Sequence, residues 1–354
     1  MAPNRYSRDE LVTMAAALLE GAGIEPEPAH LIADTLVEGD LMGHTTHGLA
    51  LLPAYLRELE QGTMKSRGGP AVVTDNKAAV VWDGNYLNGV YLTRLAVKEA
   101  LERSGRQPVV TYIIRRAHHI ACLAAYMPEI IAAGRIGILM ASDPSVALVA
   151  PSGGKDPVYS PNPIAAGIPS GPEGPVILDI STSVTAAGVV NRHKNAGTPL
   201  PGRWLLTRDG QPTDDPEALG AGGSILPLGG LDTGYKGYAL GLLVEALTSG
   251  LAGFGRAEEP TTWGTSVYLQ VINPDAFAGL SALEREMDQV NEACRRSTPR
   301  PGAKEVRVPG DRALALKAEQ LEKGVTIDAG LAKVLQKLCD GAGVEFPAPT
   351  DTGE

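Results

Sequence analysis

Val109-Val110-Thr111-Tyr112-Ile113-Ile114 and Ile136-Gly137-Ile138-Leu139-Met140-Ala141 are short apolar runs, each preceded by a stretch of helical period, Val90 to Ser104 and Ala121 to Ala133. Apolar runs of that length read as buried strands, and their alternation with helices reads as an α/β layer. Two shorter strands are expected just upstream, Ala71 to Thr74 and Ala78 to Trp82, around the turn-forming pair Asp75-Asn76.

Toward the N-terminus the period becomes wholly helical. Ser7 and Glu10 form a capping box before Leu11, Met14, Ala15, Leu18 and Leu19, and Gly21 is the stop. A second helix is expected from about Pro28 to Leu41 and a third from Leu49 to Glu60, with Pro53 tolerated in its first turn. Between them lies Gly43-His44-Thr45-Thr46-His47-Gly48, a hydroxyl beside an imidazole between two glycines. Histidine gives and takes protons near neutrality, and flanking glycines let backbone and ligand approach closely.

Downstream, Pro151 to Pro175 is dense in glycine and proline and reads as extended strands and tight loops lining a site. A strand, Val176 to Ile180, leads into Ser181-Thr182-Ser183, and a helix is expected from Ser183 to Asn195. A polar turn region, Gly197 to Gly230, precedes the apolar helix Tyr238 to Thr248, which reads as buried in a packed domain rather than as a membrane span. The strand Ser266 to Ile272 precedes a helix from Asp275 to Arg295 whose buried face should hold Leu280, Leu283, Met287 and Val290. Two more helices follow the loop Pro299 to Gly310. The expected organisation is a mainly helical portion, 1–70 plus 275–345, around an α/β nucleotide-binding portion, 71–274, with a tail at 346–354.

Composition narrows the function. The 354 residues are 44% hydrophobic and 20% charged, as in an ordinary globule. A net charge of -10 without a Lys/Arg run argues against nucleic acid or an anionic membrane as partner. Cys122, Cys294 and Cys339 include no Cys-x-x-Cys pair, so no disulfide framework or structural zinc is indicated, and a reducing cytoplasm is expected. The early charges Arg5, Arg8, Asp9 and Glu10 do not read as a secretory leader.

No Gly-x-Gly-x-x-Gly turn follows a strand, and no Walker Gly-Lys-Ser/Thr or Gly-x-Ser-x-Gly elbow occurs. A dinucleotide, if bound, is therefore held by something other than an ordinary Rossmann turn. His44, His47, His118 and His119 lack the carboxylate neighbour of a typical zinc motif, and no metal ligand is assigned. What remains is acid/base chemistry at His47 and a second imidazole at His119, which suits redox at a carbonyl or alcohol.

Along nearly its whole length the chain resembles the type-2 malate/L-lactate dehydrogenases, a family that includes ureidoglycolate, sulfolactate and cyclic-imine carboxylate oxidoreductases. Gly43 to Gly48 with Leu52-Pro53-Ala54-Tyr55 resembles its Ser-His-Gly signature, and Arg116-Ala117-His118-His119-Ile120 its Asn-Ser-x-His-Phe strand end. Pro161-Asn162-Pro163 resembles the Thr-Asn-Pro loop and Asp179-Ile180-Ser181-Thr182-Ser183 the Asp-x-Ala-Thr-Ser segment. Leu226-Pro227-Leu228-Gly229-Gly230, Tyr235-Lys236-Gly237-Tyr238 and Val308-Pro309-Gly310 keep order and spacing.

The resemblance implies an NAD- or NADP-dependent oxidoreductase of the family's own non-Rossmann α/β fold, usually a homodimer. It implies His47 as proton donor and acceptor, assisted by Thr46 in place of the usual serine. It implies dinucleotide contacts from His119, Ile120, Ala121, Cys122, Leu123, Asp179, Ile180, Ser181, Lys236, Gly237, Arg307, Pro309, Gly310 and Arg312. Substrate contacts would come from Leu51, Pro161, Asn162, Ala187 and Gly188. Leu51 stands where the family has an arginine for the substrate carboxylate, Pro161 where it has a threonine, and Val189 where it has a lysine or, in the imine reductases, an aspartate. An alkyl group cannot replace a charge-assisted fork. A less polar or differently held substrate follows, with Arg115, Arg116, Arg192 or His193 as the nearest spare cations. The reading is a 2-hydroxy acid dehydrogenase, ahead of a cyclic-imine carboxylate reductase, a cofactor-binding homologue without catalysis, and a metal hydrolase using the four histidines.

Overall fold

The computed structural model describes residues 4–350. Its centre is a seven-stranded sheet in the order β2-β3-β4-β11-β5-β6-β7. The strands are β2 (Ala71–Asp75), β3 (Ala79–Asp83), β4 (Val109–Ala117), β5 (Ile136–Ser142), β6 (Ile164–Ile168), β7 (Val176–Ile180) and β11 (Thr265–Ile272). Only β3 and β4 pair in parallel; every other neighbour is antiparallel. A Rossmann sheet is parallel throughout its nucleotide half, so this α/β fold is of another kind. β11 enters the middle from late in the chain because its Val267, Leu269 and Val271 are fully buried between β4 and β5.

Helix α4 (Gly89–Ser104) lies on one face of this sheet, where Val97 and Ala100 join Tyr112, Ile114 and Leu269 in the main core. Asn88 caps α4 by accepting hydrogen bonds from the Val90 and Tyr91 N–H groups. Beyond it, α1 (Arg8–Gly21) and α2 (Pro26–Leu41) pair through Leu11, Leu19, Ile32 and Leu36, all fully buried. Ser7 does sit at the N-cap of α1, but its side chain makes no capping bond. The expected third helix opens as one tight turn, Leu49–Leu51, and continues as α3 (Leu52–Glu60). The stretch 121–133 likewise splits into a tight turn, Leu123–Tyr126, and α5 (Met127–Ala132).

β6 was not separated from its glycine-rich surroundings by sequence pattern, since Ile164-Ala165-Ala166-Gly167-Ile168 has little strand character of its own. α6 (Ala187–Ala196) starts four residues later than expected. The supposed turn region holds a three-stranded sheet of β8 (Leu205–Leu206), β9 (Pro212–Thr213) and β10 (Ser224–Ile225), with α7 (Glu217–Gly220). The apolar helix α8 (Gly230–Glu245) begins eight residues before the expected start and is buried on one face only: Gly234, Gly237, Gly241 and Val244 are buried, while Leu242, Leu243 and the following Leu251 are each about half exposed. In α9 (Leu280–Arg295) the buried residue is Asn291, and Val290 faces solvent. Asn291 instead bonds Ser170 Oγ and Gly174 O, holding the loop between β6 and β7.

α10 (Asp311–Lys323) and α11 (Ala329–Ala342) close the chain, joined by β12 (Val325–Ile327), which pairs with β1 (Asn4–Tyr6). Phe346 meets Tyr6 edge-on at 5.4 Å, and the Thr350 N–H donates to Arg5 O. Residues 351–354 of the expected tail lie outside the described residues. No helix among the described residues is long and apolar enough to cross a membrane.

Candidate active site

The turn that follows α2 is closed by backbone bonds from His44 N–H to Gly39 O and from His47 N–H to His44 O, both 2.8 Å. Gly43 supplies the reversal at φ +82°. Asp40 anchors the far side by accepting the Leu49 N–H at 2.7 Å, and a Cβ on Gly48 would stand 2.3 Å from that carboxylate. A side chain at 48 would therefore push the Asp40 carboxylate away from the Leu49 N–H. Burial pushes the Asp40 carboxyl up to about 7, against the Leu49 hydrogen bond, and its Oδ1 has no partner among the described residues.

Thr46 Oγ1 lies 2.9 Å from His47 Nδ1 and fixes the ring. Burial lowers the His47 pKa; the Asp179 charge opposes the shift and His44 adds to it. The His119 ring stacks on His47 at 5.7 Å. His119 Nδ1 receives the Ala121 N–H at 3.2 Å and lies 3.0 Å from the Tyr55 hydroxyl. Burial, with His47 and His118 nearby, holds His119 well below the usual imidazole range, so it is neutral. The His118–His119 turn is possible because α4 begins with Gly89, where a Cβ would meet His118 O at 1.9 Å.

Thr46, His47 and His119 line a cavity of about 550 Å³. It takes in His47, Thr46, Leu51, His119, Ile120, Ala121, Cys122, Leu123, Pro161, Asn162, Asp179, Ser181, Ala187 and Gly188. A second cavity of about 820 Å³ takes in Ile180, Pro309, Gly310 and Arg312. His44 and Asp179 line both, so the two meet at a waist. Lys236, Gly237 and Arg307 line neither; Arg307 pairs with Glu305, and Gly237 packs on the Leu228 backbone. The Asn162 amide is engaged internally, donating to Gly241 O and Glu245 Oε1.

Sequence reasoning missed Asp143, Val146, Leu148 and Trp263, which also line the first cavity. Trp263 meets His118 edge-on at 4.7 Å and His119 at a tilt at 5.1 Å, yet stands in a polar loop with no motif around it. Burial pushes the Asp143 carboxyl up to about 6, opposed first by Ser145. Of the spare cations, Arg115 and Arg116 are both taken by Asp83, at 3.0 and 2.5 Å, and His193 bonds Thr198. Arg192, one turn along α6 from Gly188, reaches Thr45 Oγ1 at 3.1 Å and has no acidic partner among the described residues.

Comparison with known proteins returns one family, malate/L-lactate dehydrogenase, matched over residues 6–336. The chain is 30% identical to a malate/(S)-sulfolactate dehydrogenase of Methanothermus fervidus over 96% of this chain and 98% of that one. It is also 30% identical to a Delta(1)-pyrroline-2-carboxylate/Delta(1)-piperideine-2-carboxylate reductase of Pseudomonas syringae, over 94% and 95%. The crystal structure of malate dehydrogenase from Entamoeba histolytica shares the fold with a TM-score of 0.92, at 23% identity, over 98% of this chain and all of that one.

Proposed function

Because the chain belongs to the malate/L-lactate dehydrogenase family, we propose that it interconverts a 2-hydroxy acid and a 2-oxo acid with a nicotinamide dinucleotide, His47 moving the hydroxyl proton. The observation that carries this reading is the pair of cavities meeting beside His47 at His44 and Asp179. A bipartite ligand suits them, its reactive end by His47 and its far end by Pro309, Gly310 and Arg312. The residues fit a dinucleotide: Gly188 leaves the wall open beside Thr46, and the largely apolar lining of Leu51, Ile120, Leu148 and Trp263 excludes water. When bound, the nicotinamide supplies the hydride acceptor or donor.

The protein's own part is proton handling and orientation. Neutral His47 accepts the hydroxyl proton in oxidation, and its protonated form returns it in reduction. Thr46 holds Nδ1, so Nε2 is left to face substrate. His119, neutral beside it, adds no competing positive charge. With Leu51 in the place of an arginine, Arg192, which lines neither cavity but bonds Thr45 Oγ1 two residues before His47, is the cation assigned to the carboxylate, and the apolar wall favours an acid with an apolar body.

The apolar outer face of α8 supports a second copy of the chain as partner. A reducing cytoplasm is the proposed setting, since Cys122, Cys294 and Cys339 include no Cys-x-x-Cys pair. Thermal-shift titration with NADH and NADPH tests the cofactor, since a ligand of the native state stabilises by roughly 2.7 kcal/mol at a hundredfold excess over its dissociation constant. A shift with one of them, followed by His47-dependent reduction of 2-oxo acids, supports the reading. Reduction that persists in His47→Ala removes the proposed role of His47.

A further inference from the structure

His44, Cys122 and Asp179 come from three separate places, the turn after α2, the loop after β4 and the end of β7, and converge at the waist between the cavities. An imidazole nitrogen, the Cys122 Sγ and a carboxylate oxygen all lie within 4.8 Å of one another. Cys122 Sγ is 3.6 Å from Asp179 Oδ2, and Asp179 is steadied by the Ala124 N–H at 2.8 Å. The turn at His44 is closed by its backbone, which leaves the ring for the waist.

One nitrogen, one sulfur and one oxygen donor make a set that zinc accepts, with bonds of roughly 2.0 to 2.3 Å and tetrahedral geometry. Magnesium and calcium prefer oxygen alone. We propose that His44, Cys122 and Asp179 form a site for a thiophilic divalent cation of the zinc class, and that its occupation closes the passage between the two cavities. On binding, the Cys122 S–H bond breaks, the proton leaves to solvent, and the thiolate electron pair forms the metal–sulfur bond; no redox change occurs. Burial and Asp179 keep the free thiol protonated, so the cation must displace that proton. Three protein ligands leave a fourth position open to water. The site stands on its own geometry, whereas obstruction of a cofactor rests on the dinucleotide reading above.

The probe is Cd²⁺, titrated into the full chain without nucleotide and followed by thiolate-to-metal charge-transfer absorption in the ultraviolet. One equivalent per chain should saturate the band, and Cys122→Ser should abolish it. His44→Gln should weaken Cd²⁺ binding by at least about tenfold. Cys294→Ser, which removes the exposed thiol, should leave the band in place. Circular dichroism checks the folding of Cys122→Ser; if that variant misfolds, His44→Gln decides. The site is overturned by absence of the band, by a band that survives Cys122→Ser, or by unchanged affinity in His44→Gln. NADH should raise the apparent Cd²⁺ dissociation constant. NADH that stabilises the protein yet leaves Cd²⁺ binding unchanged overturns the obstruction. An intact Cd²⁺ band with no stabilisation by NADH or NADPH sinks the dinucleotide reading and the obstruction with it, and leaves the metal site standing.

Discussion

His47 is pulled in two directions, downward by burial and upward by the Asp179 charge, and burial wins. Its folded pKa therefore lies below the usual imidazole value of about 6.5. Oxidation of a hydroxy acid needs the neutral ring, so kcat/KM should hold through neutrality and fall on the acid side, with the limb displaced below that value. Asp179→Asn removes the opposing charge and should move the limb further acid, read from pH profiles of the two proteins; a limb that moves toward neutrality contradicts the assignment. His47→Ala should lower kcat by about 10²- to 10⁴-fold while the NADH thermal shift survives. For Arg192→Ala a charge-assisted hydrogen bond of about 1.5–3 kcal/mol is lost, which should raise KM for 2-oxo acids by about 10- to 100-fold with kcat little changed. An unchanged KM would place the carboxylate elsewhere. Thr46 and His47 were legible in the sequence because glycines bracket them. Asp40 and Trp263 were not: the one is a helix residue and the other a loop residue until the fold brings them to the turn and the cavity.

At the level of elements, the junction of α4 with the end of β4 sets the histidine pair. A Cβ at position 89 would meet backbone, not a flexible side-chain end, at His118 O. Gly89→Ala should therefore destabilise the protein by about 2–4 kcal/mol in denaturant melts, within the range of severe packing errors. His118 itself, fully buried and with Glu58 3.7 Å away, is lowered to about 4 by burial, Glu58 opposing. The unfolded chain then binds the proton first as pH drops. His118 thus takes stability away as pH falls from about 6.5 toward 4 and has no effect above that window. Asp40, raised to about 7, acts in the opposite sense, restoring stability over the same descent, so the difference between parent and variant isolates each. His118→Phe should lose less stability than the parent between neutral and mildly acid pH; parallel curves would remove His118 as the acid-sensitive group. The helices and the buried strands were legible from periodicity, since α1, α2, α4, β4, β5, β7 and β11 carry strong patterns of their own. β6 was not, because it becomes a strand through pairing with β5 about 30 residues away, and the β8–β10 sheet was not, because strands of two residues are too short to carry an alternating pattern.

At the scale of the whole molecule, the placement of α8 departs from its sequence pattern. The apolar period of α8 implied a helix sealed inside a domain, and nothing local distinguishes that from a helix sealed against another chain. In the structure Tyr235 and Leu242 recur at helical spacing on the exposed side of α8 after the backbone break at Thr233, and Leu231, Leu243 and Leu251 are exposed as well. Contiguous apolar patches of this kind mark interaction surfaces. A stable homodimer buries roughly 800 Å² per partner, and these exposed apolar side chains supply an apolar centre for such a contact. Light scattering on the eluting protein should therefore give twice 36.9 kDa. Leu242→Glu should shift the mass toward that of one chain while leaving far-ultraviolet circular dichroism unchanged, because the side chain is half exposed within its own protomer. A parent that elutes at the mass of one chain, or a Leu242→Glu variant that remains at twice that mass, would remove α8 as the dimer contact.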